Sequence, residues 1–253
     1  MVDVSVLILT RNEERNIKDC IESCQSFAKE IIVIDDGSTD GTKEIAENLG
    51  ARVISHAMAG DWGQQQTFAI NQSQCSWIFF IDADERCTPN LASAIEKLVT
   101  KDEKIAYRIG RRNLFHYNKA DHGILRSDRV VRLMPTQDSK VEGFVHPTII
   151  TPYPIKDIPE FIYHYTYDNW AQYFGKFNNY TDLAAKKYLE QGKKCNVFRD
   201  IVLRPIWAFI KVYFIDLGFL DGRLGWVFSC NHFAYTMMKY ERLYELEKSG
   251  GKL

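Results

Sequence analysis

The sequence lacks the patterns of several large protein classes. Its 253 residues contain no internal repeat and no low-complexity tract. Six cysteines are present, but no two of them form a Cys-x-x-Cys pair, which favours reduced, structural thiols. The formal net charge is −1, which argues against a dedicated nucleic-acid-binding protein. We therefore expect no nucleic-acid partner.

Two common nucleotide-binding fingerprints are also missing. No Gly-x-Gly-x-x-Gly follows the apolar run at residues 4–9, which weakens an NAD-binding interpretation. The absence of Gly-x-x-x-x-Gly-Lys-Ser/Thr likewise weakens an ATPase interpretation. A nucleotide ligand of this chain would therefore have to be held by other means.

Long apolar segments are scarce as well. The chain enters a strand pattern without the basic region, apolar core and cleavage site of a signal peptide. The most apolar later stretch, residues 201–217, is interrupted by Arg204, Lys211 and Asp216 and is shorter than the ~20 residues of a spanning helix. We expect a protein of the cytosol or of the cytoplasmic membrane face.

What is present is an alternation of buried strands and helices. Short apolar runs at residues 4–9, 31–34, 52–55 and 77–81 predict strands, and the periodic segments between them predict helices. This order predicts a right-handed, parallel half up to residue 100. The predicted fold class is α/β, with a Rossmann-like, mostly parallel sheet flanked by helices and a C-terminal helical extension.

Carboxylates follow two of the predicted strands. Asp36 comes after the second strand, and Asp82 and Asp84 come after the fourth. Because parallel strands present their carboxyl ends at one edge of a sheet, we expect these residues at a single ligand crevice. Asp82 and Asp84 point the same way in an extended chain, so both can reach one Mg²⁺ or Mn²⁺ beside a diphosphate. Asp36 can accept a hydrogen bond from a uracil N–H. Helix caps and turns are the alternative role.

Three segments resemble the signatures of family 2 glycosyltransferases with the GT-A fold. They are Val-Ser-Val-Leu-Ile-Leu-Thr-Arg-Asn-Glu-Glu at residues 4–14, Ile-Ile-Val-Ile-Asp-Asp-Gly-Ser-Thr-Asp at 31–40, and Ile-Asp-Ala-Asp-Glu-Arg at 81–86. Tyr-His-Tyr at 163–165, Arg-Pro at 204–205 and Gly-Phe-Leu-Asp-Gly at 218–222 resemble a bacterial subgroup. That subgroup consists of β-1,4-glucosyltransferases of the lipopolysaccharide inner core.

The resemblance implies an inverting, metal-dependent transfer of glucose from UDP-glucose to a heptose of the lipopolysaccharide or lipooligosaccharide inner core. It implies that Asp84, together with Asp82, binds Mg²⁺ or Mn²⁺. The residues that it implies for nucleotide-sugar binding are Thr10, Asn12, Glu13, Asp36, Gly37, Gln66 and Asp82.

The chain departs from the family pattern at two places. Gln64–Gln66 stand where relatives often carry a basic residue to meet the diphosphate, and His146-Pro147 replaces the His-Glu of the subgroup. The base that an inverting reaction needs is therefore open. We favour Glu142, because a turn at the adjacent Gly143 can aim it into the cleft. The alternative bases are Asp128 and Asp121.

Arginines are concentrated in a short span of the second half. They are Arg108, Arg111, Arg112, Arg126, Arg129 and Arg132. Guanidinium groups bind phosphate and carboxylate bidentately, so the cluster predicts a site for the phosphorylated heptose and keto-acid region of lipopolysaccharide. Among the acceptor contacts we name Arg129, Arg132 and His146. The alternative is a solvated strand face paired with nearby aspartates.

The predicted organisation places a GT-A catalytic domain at residues 1–165, with a nucleotide-sugar half at 1–100 and an acceptor half at 101–165. Residues 166–253 form the helical extension, whose aromatic and basic residues suit a membrane interface. Burial against the catalytic domain or in a homo-oligomer is the alternative. The expected partners are a UDP-sugar donor, a lipid-anchored oligosaccharide acceptor and the inner membrane surface, where the protein is expected to be peripheral on the cytoplasmic face.

Three other functions remain open from the sequence. One is a transferase of the same fold that uses another nucleotide sugar or a polyprenyl phosphate acceptor. Another is a phosphohydrolase with Asp82 as its nucleophile. The last is a non-catalytic protein that binds nucleotide sugars.

Overall fold

The computed structural model of the protein describes residues 1–115, 118–143, 147–167 and 169–251. The chain divides into two compact units. The first comprises Met1–Arg112 and Asp128–His164, and the second comprises Asn113–Ser127 and Tyr165–Leu253. Residues 113–127, which the sequence analysis assigned to the acceptor half, thus belong to the second unit.

The helices and strands follow one another as the alternation of apolar patterns predicts. The described strands, in chain order, are β1 (Val2–Thr10), β2 (Ala28–Asp35), β3 (Arg52–Ser55), β4 (Trp77–Asp82), β5 (Glu85–Cys87), β6 (Ala106–Phe115), β7 (Asn118–Lys119), β8 (Asp128–Pro135), β9 (Lys140–Glu142), β10 (Thr148–Ile150) and β11 (Ile155–Tyr167). The α-helices are α1 (Ile17–Cys24), α2 (Thr42–Asn48), α3 (Trp62–Gln72), α4 (Pro89–Lys101), α5 (Trp170–Glu190), α6 (Arg204–Ile210) and α7 (Gly222–Ser249).

One mixed sheet forms the centre of the first unit. Its strand order is β3-β2-β1-β4-β8-β6-β11-β5, and β9 and β10 form a separate antiparallel ribbon. Strand β1 pairs in parallel with β2 and β4, and β2 pairs in parallel with β3, which confirms the predicted parallel half. Strand β8 pairs antiparallel with both β4 and β6. The α/β fold class is thus confirmed, with a sheet that changes from parallel to antiparallel beyond β4.

Strand β4 is apolar from Trp77 to Ile81, which suits a strand covered by helices on both faces. Trp77, Phe79 and Ile81 belong to a core that includes residues of α1 and α4. Ile78 and Phe80 belong to a second core, which includes residues of α3. Successive side chains of a strand point to opposite faces, so a strand between two cores needs a continuous apolar run.

The register of the parallel strands brings their polar ends to one edge. Thr10 at the end of β1 pairs with Asp35 of β2, and Leu9 pairs with Asp82 at the end of β4. Both acidic segments therefore end beside the same strand. This edge of the first unit is where a ligand of an open α/β sheet is expected.

The second unit is mainly helical and has an aromatic core. The ring of Phe115 lies 4.3 Å from Trp170 and 5.2 Å from Phe228, measured between ring centroids. Tyr173 and Phe177 of α5 pack in the same cluster. These aromatic positions recur with helical period in the sequence, and they form the buried side of α5.

A continuous helical run leads from α5 towards α7. It consists of π-helical turns at Val197–Leu203, then α6, then π-helical turns at Lys211–Ile215. Its inner side includes Asp200, which is 1% exposed and accepts hydrogen bonds from the side chains of Arg199 and Arg204 of the same run. These contacts, with Arg199 first, lower the pKa of Asp200 to about 2. In the part of the chain that is described, no helix is long and apolar enough to cross a membrane.

Helix α7 begins in close contact with the turn before it. A Cβ atom placed on Gly225 would lie 1.8 Å from the carbonyl oxygen of Gly218. A methyl group cannot fit there without moving the backbone of the 3₁₀ turn at Gly218–Asp221. Gly175 of α5 offers a contrast, because a Cβ atom there meets nothing within 4 Å.

We predict that Gly225→Ala destabilises the protein by about 3 kcal/mol, because the added methyl overpacks this contact. Gly175→Ala is the matched control, and it should stabilise the protein by about 0.5–1 kcal/mol through better helix propensity. Urea denaturation monitored by circular dichroism measures both changes. Equal stability of the two variants would show that Gly225 does not approach the backbone of Gly218 as closely as described.

Candidate active site

A cavity of about 1070 Å³ opens at the polar edge of the sheet, within the first unit. Several predicted site residues line it together. They are Thr10, Glu13, Asp36, Gln66, Asp82, Asp84 and Arg132. The strand register explains this grouping, because the ends of β1, β2 and β4 are neighbours.

One end of the cavity is formed by Thr10, Asp36 and Met58. Thr10 is 6% exposed, and its hydroxyl has no hydrogen-bond partner among the described residues. Asp36 accepts a hydrogen bond from the Met58 N–H at 2.9 Å, and its other carboxylate oxygen lies 3.2 Å from the guanidinium of Arg11. An unpaired buried hydroxyl is costly, so this one marks a place where a ligand group can bond.

The loops after β1 and β2 are tied together behind this end. The Asn12 side-chain oxygen accepts from the Thr39 N–H at 2.8 Å, and the Asn12 N–H donates to the Ser38 hydroxyl at 2.8 Å. Gly37 has a φ of 73°, which a residue with a side chain adopts only with strain, and its N–H donates to Asp35. Neither Asn12 nor Gly37 is among the lining residues. Their predicted nucleotide contacts stay predictions.

Asp84 faces a histidine from a distant strand. The Asp84 Oδ2 atom lies 3.4 Å from His164 Nε2, and both residues line the cavity. Burial disfavours the charged imidazole, but the hydrogen bond and charge of Asp84 outweigh it and raise the pKa of His164. From the sequence, His164 could bind a phosphate of the donor or acceptor, but packing as a structural residue was preferred for it. Its pairing with Asp84 was not predicted, because the two residues are 80 positions apart.

Asp82 takes part in a buried ion cluster. Arg132 Nη2 lies 2.6 Å from Asp82 Oδ2 and 2.8 Å from Glu85 Oε1. Glu85 is fully buried and also accepts the Asp82 N–H at 2.9 Å. Burial raises the pKa of Glu85 to about 7, although Arg132 acts in the opposite direction. Asp82 and Asp84, which were predicted to share a metal, therefore have different protein partners.

Two arginines line the cavity near His164. Arg108 donates through Nε to Asp157 at 2.7 Å, and neither of its terminal nitrogens has a hydrogen bond among the described residues. Arg111 binds Asp128 through Nε and Nη2, and its Nη1 is 3.8 Å from Glu85. These two side chains bring positive charge to the cavity.

The other predicted acceptor residues are placed differently. Arg129 is not a lining residue, and its Nη1 donates to the carbonyl of Ile158 at 2.8 Å. Arg132 is 6% exposed, and both of its terminal nitrogens contact carboxylates. His146 lies outside the described residues. The acceptor roles of all three stay predictions, and the contacts of Arg132 favour a structural role.

None of the three candidate bases is a lining residue of the cavity, all of them being among the described residues. Glu142 is on β9, where its side chain is 58% exposed and lies 2.5 Å from Lys140. Its partner across the ribbon is Thr148, which does line the cavity. Asp128 is bound by Arg111, and Asp121 belongs to the second unit.

The ribbon that carries Glu142 is attached to helix α3. Asp61 caps this helix by accepting the Gln64 N–H. The Gly63 N–H donates to the Gly143 carbonyl at 3.2 Å, and a Cβ atom on Gly63 would lie 2.8 Å from that oxygen. The Thr67 hydroxyl also contacts the backbone of Val141. Because Gln65 and Gln66 of α3 line the cavity, helix and ribbon form one wall.

The sequence profile of glycosyl transferase family 2 matches residues 5–147, which is more than half of the chain. The chain belongs to glycosyl transferase family 2. An uncharacterized glycosyltransferase of Rickettsia felis is 31% identical over 98% of this chain and 91% of its own length. The lipopolysaccharide core biosynthesis glycosyltransferase LpsC of Rhizobium meliloti is 28% identical over 96% of this chain and 92% of its own length.

Among solved structures, glucosyl-3-phosphoglycerate synthase of Mycobacterium tuberculosis, in complex with Mn²⁺, uridine diphosphate and glucosyl-3-phosphoglycerate, is 26% identical. The match covers 45% of this chain and 44% of that chain, with a TM-score of 0.36. A TM-score this low supports no conclusion about ligands. Membership in glycosyl transferase family 2 confirms the predicted glycosyltransferase and decides against the phosphohydrolase and the non-catalytic protein.

We predict that Arg132→Gln destabilises this glycosyltransferase by about 3–5 kcal/mol, because Glu85 would stay buried without its nearest cationic partner. Arg108→Gln is the control, since the Arg108–Asp157 pair is half-exposed and should contribute about 0–1 kcal/mol. Urea denaturation in metal-free buffer gives both values. A loss at Arg132 no larger than that at Arg108 would contradict the buried cluster.

Proposed function

We propose that this family 2 glycosyltransferase transfers glucose from UDP-glucose to a heptose of the lipopolysaccharide or lipooligosaccharide inner core, with inversion. The observation that carries the proposal is the cavity itself. One end offers the Asp36 carboxylate and the Thr10 hydroxyl, which has no partner among the described residues, and another part offers the Asp84–His164 pair. The name of the Rhizobium relative supports the acceptor class.

The donor base would lie at the Thr10 end. Uracil presents an N–H donor and carbonyl acceptors, which suit the Asp36 carboxylate and the Thr10 hydroxyl respectively. Arg11 is largely exposed, so its bond to Asp36 can be exchanged for a bond to the base at little cost. Gln65 and Gln66 add neutral polar groups to the wall. They stand where the sequence analysis expected the donor diphosphate to be met by uncharged side chains.

Asp84 and His164 fit a divalent metal ion. A carboxylate oxygen and an imidazole nitrogen are ligands that suit Mn²⁺, and the diphosphate of the donor would complete the coordination. Among the described residues, no three His, Cys, Asp or Glu side chains converge to hold a metal unaided. A bound Mg²⁺ or Mn²⁺ would stabilise the negative charge of the leaving UDP. Asp82 would serve the donor less directly, because Arg132 already binds it.

Inversion requires a base on the far side of the sugar from the leaving group. We propose Glu142, because directly opposed residues of an antiparallel pair point to the same side and its partner Thr148 lines the cavity. Burial raises the pKa of Asp128, but the hydrogen bonds from Arg111 outweigh burial and lower it, which makes that carboxylate a weaker base. Glu142 would accept the proton of the acceptor hydroxyl.

The acceptor would be held by its negative charge. We propose that Arg108 and Arg111 meet a phosphate or carboxylate of the inner core, because both line the cavity and no described residue bonds to the terminal nitrogens of Arg108. Such an acceptor is anchored in lipid, so the enzyme would work as a peripheral protein on the cytoplasmic face of the inner membrane. A polyprenyl phosphate is the alternative acceptor.

UDP-glucose with Mn²⁺ should raise the Tm of the wild-type protein by about 5 °C at a concentration of about 100 Kd. Asp84→Asn should lose most of this shift, because the variant removes a proposed metal ligand. Differential scanning fluorimetry measures the shift, with UDP-galactose and GDP-glucose as competing donors.

Asp138→Asn is the matched control, because Asp138 is an exposed turn residue outside the cavity and should keep the full shift. No shift with any UDP-sugar would reject the donor assignment. A larger shift with UDP-galactose would reject glucose as the donor sugar, and a larger shift with GDP-glucose would reject uridine as the nucleoside. Neither outcome would contradict the proposed metal site.

Arg108→Gln should raise the KM for a phosphorylated core acceptor by about tenfold while leaving the KM for UDP-glucose unchanged, because a charge-assisted bond is lost. Dephosphorylation of the acceptor should reduce the wild type to the level of the variant. The measurement is initial-rate kinetics with radiolabelled donor. An increase confined to the KM for UDP-glucose would instead place Arg108 at the donor diphosphate.

A further inference from the structure

Exposed apolar side chains are concentrated in one segment of the second unit. Of the 22 exposed large apolar residues that the structure describes, 14 lie within residues 197–227, and we call this segment the apolar surface. Phe198, Trp207, Phe214 and Leu220 are each more than half exposed. Single exposed apolar residues are normal, but a group of this size marks an interaction site.

The apolar surface has a helical pattern. Phe198, Val202, Ile206, Ile210 and Phe214 follow one another at intervals of four residues along the helical run, and all are exposed. Residues at this spacing lie on one face of a helix. The fold therefore presents these side chains outward as a stripe.

The opposite face of the same run is buried in the second unit. Ala208, Val212 and Asp200 are all buried on it. If the run rotated so that the stripe became buried, these buried groups would become exposed. The outward orientation of the stripe therefore follows from the burial of the opposite face.

The charge that accompanies the apolar surface is positive. Six basic residues lie within or beside it, at Lys193, Lys194, Arg199, Arg204, Lys211 and Arg223. The three acidic residues of the same span are Asp200, Asp216 and Asp221, and none of their side chains is more than 13% exposed. Each of the three contacts a basic side chain within the unit. The charge left facing solvent is therefore cationic.

We propose that the apolar surface binds an anionic lipid bilayer by lying in the plane of its interface. An exposed apolar stripe flanked by Lys and Arg has the chemistry of an interfacial helix, and no described helix is suited to span. A second copy of this chain would meet the same positive charge, which disfavours that occupant. The inference rests on the proposed function in one respect only: the lipid anchor of the proposed acceptor would place that acceptor in the same bilayer as the enzyme.

The test is flotation of the full chain with vesicles, without donor or acceptor. One set is pure phosphatidylcholine, and the other contains roughly 25% phosphatidylglycerol. Binding should be stronger to the anionic vesicles, and added salt should weaken it. The double variant Lys194→Gln/Arg223→Gln should lower the partition coefficient on anionic vesicles by about fivefold for each charge removed.

The apolar contribution is tested by a matched pair of substitutions. Leu220 in the apolar surface is 56% exposed, and Leu183 on α5, outside it, is 60% exposed. Leu220→Asp should lower the partition coefficient by about tenfold or more, whereas Leu183→Asp should leave it unchanged. Both residues are exposed, so both variants are expected to fold, which circular dichroism verifies.

Three outcomes would overturn the inference. Wild-type protein that binds neither vesicle would do so, as would equal effects of Leu220→Asp and Leu183→Asp. A dimer in sedimentation that Leu220→Asp converts to a monomer, with vesicle binding unchanged, would assign the surface to a second copy. Thermal stabilisation by UDP-glucose is measured on the same variants. If UDP-glucose does not stabilise the wild-type protein, the proposed donor is rejected, and the inference about lipid binding is unaffected.

Discussion

The contact of Arg132 with two carboxylates is the constraint on which the site depends. Arg132 lies on β8, the first strand beyond the parallel half, while Asp82 ends β4 and Glu85 begins β5. The guanidinium therefore joins the strands at the place where the sheet changes direction. A buried cation is tolerated here because each of its terminal nitrogens meets a negative charge.

This cluster explains why two aspartates separated by one residue have different surroundings. Asp82 is held by Arg132, which fixes the end of β4. Asp84 emerges beyond it and meets His164 on β11, and His164 is itself the register partner of Glu85. Both carboxylates line the cavity, but Asp82 is bound by the buried Arg132, whereas Asp84 meets His164.

The sequence was sufficient for the features that depend on local pattern. The continuous apolar run of β4 predicted a strand between two cores, and the parallel order predicted that Asp36, Asp82 and Asp84 meet at one edge. Pairings between distant segments were not predictable. Nothing in the residues around His164 indicates Asp84 as its partner, because strand order decides which segments meet.

The arginine cluster shows the same limit. The six residues look alike in the sequence, yet Arg108 lines the cavity, Arg129 holds a backbone carbonyl and Arg132 is buried. Spacing along a strand gives the face on which a side chain lies, but burial depends on what covers that face. For the same reason, the sequence left open whether the aromatic and basic residues of the helical extension meet a membrane or are buried, and the exposure of the apolar surface became apparent only from the structure.

The attachment of the β9–β10 ribbon to α3 has a consequence for how this wall of the cavity can move. The close backbone approach at Gly63 and the two bonds of Thr67 leave little freedom between helix and ribbon. Gln65 and Gln66 on the helix and Glu142 on the ribbon therefore belong to one wall. A displacement of the helix would carry the ribbon with it.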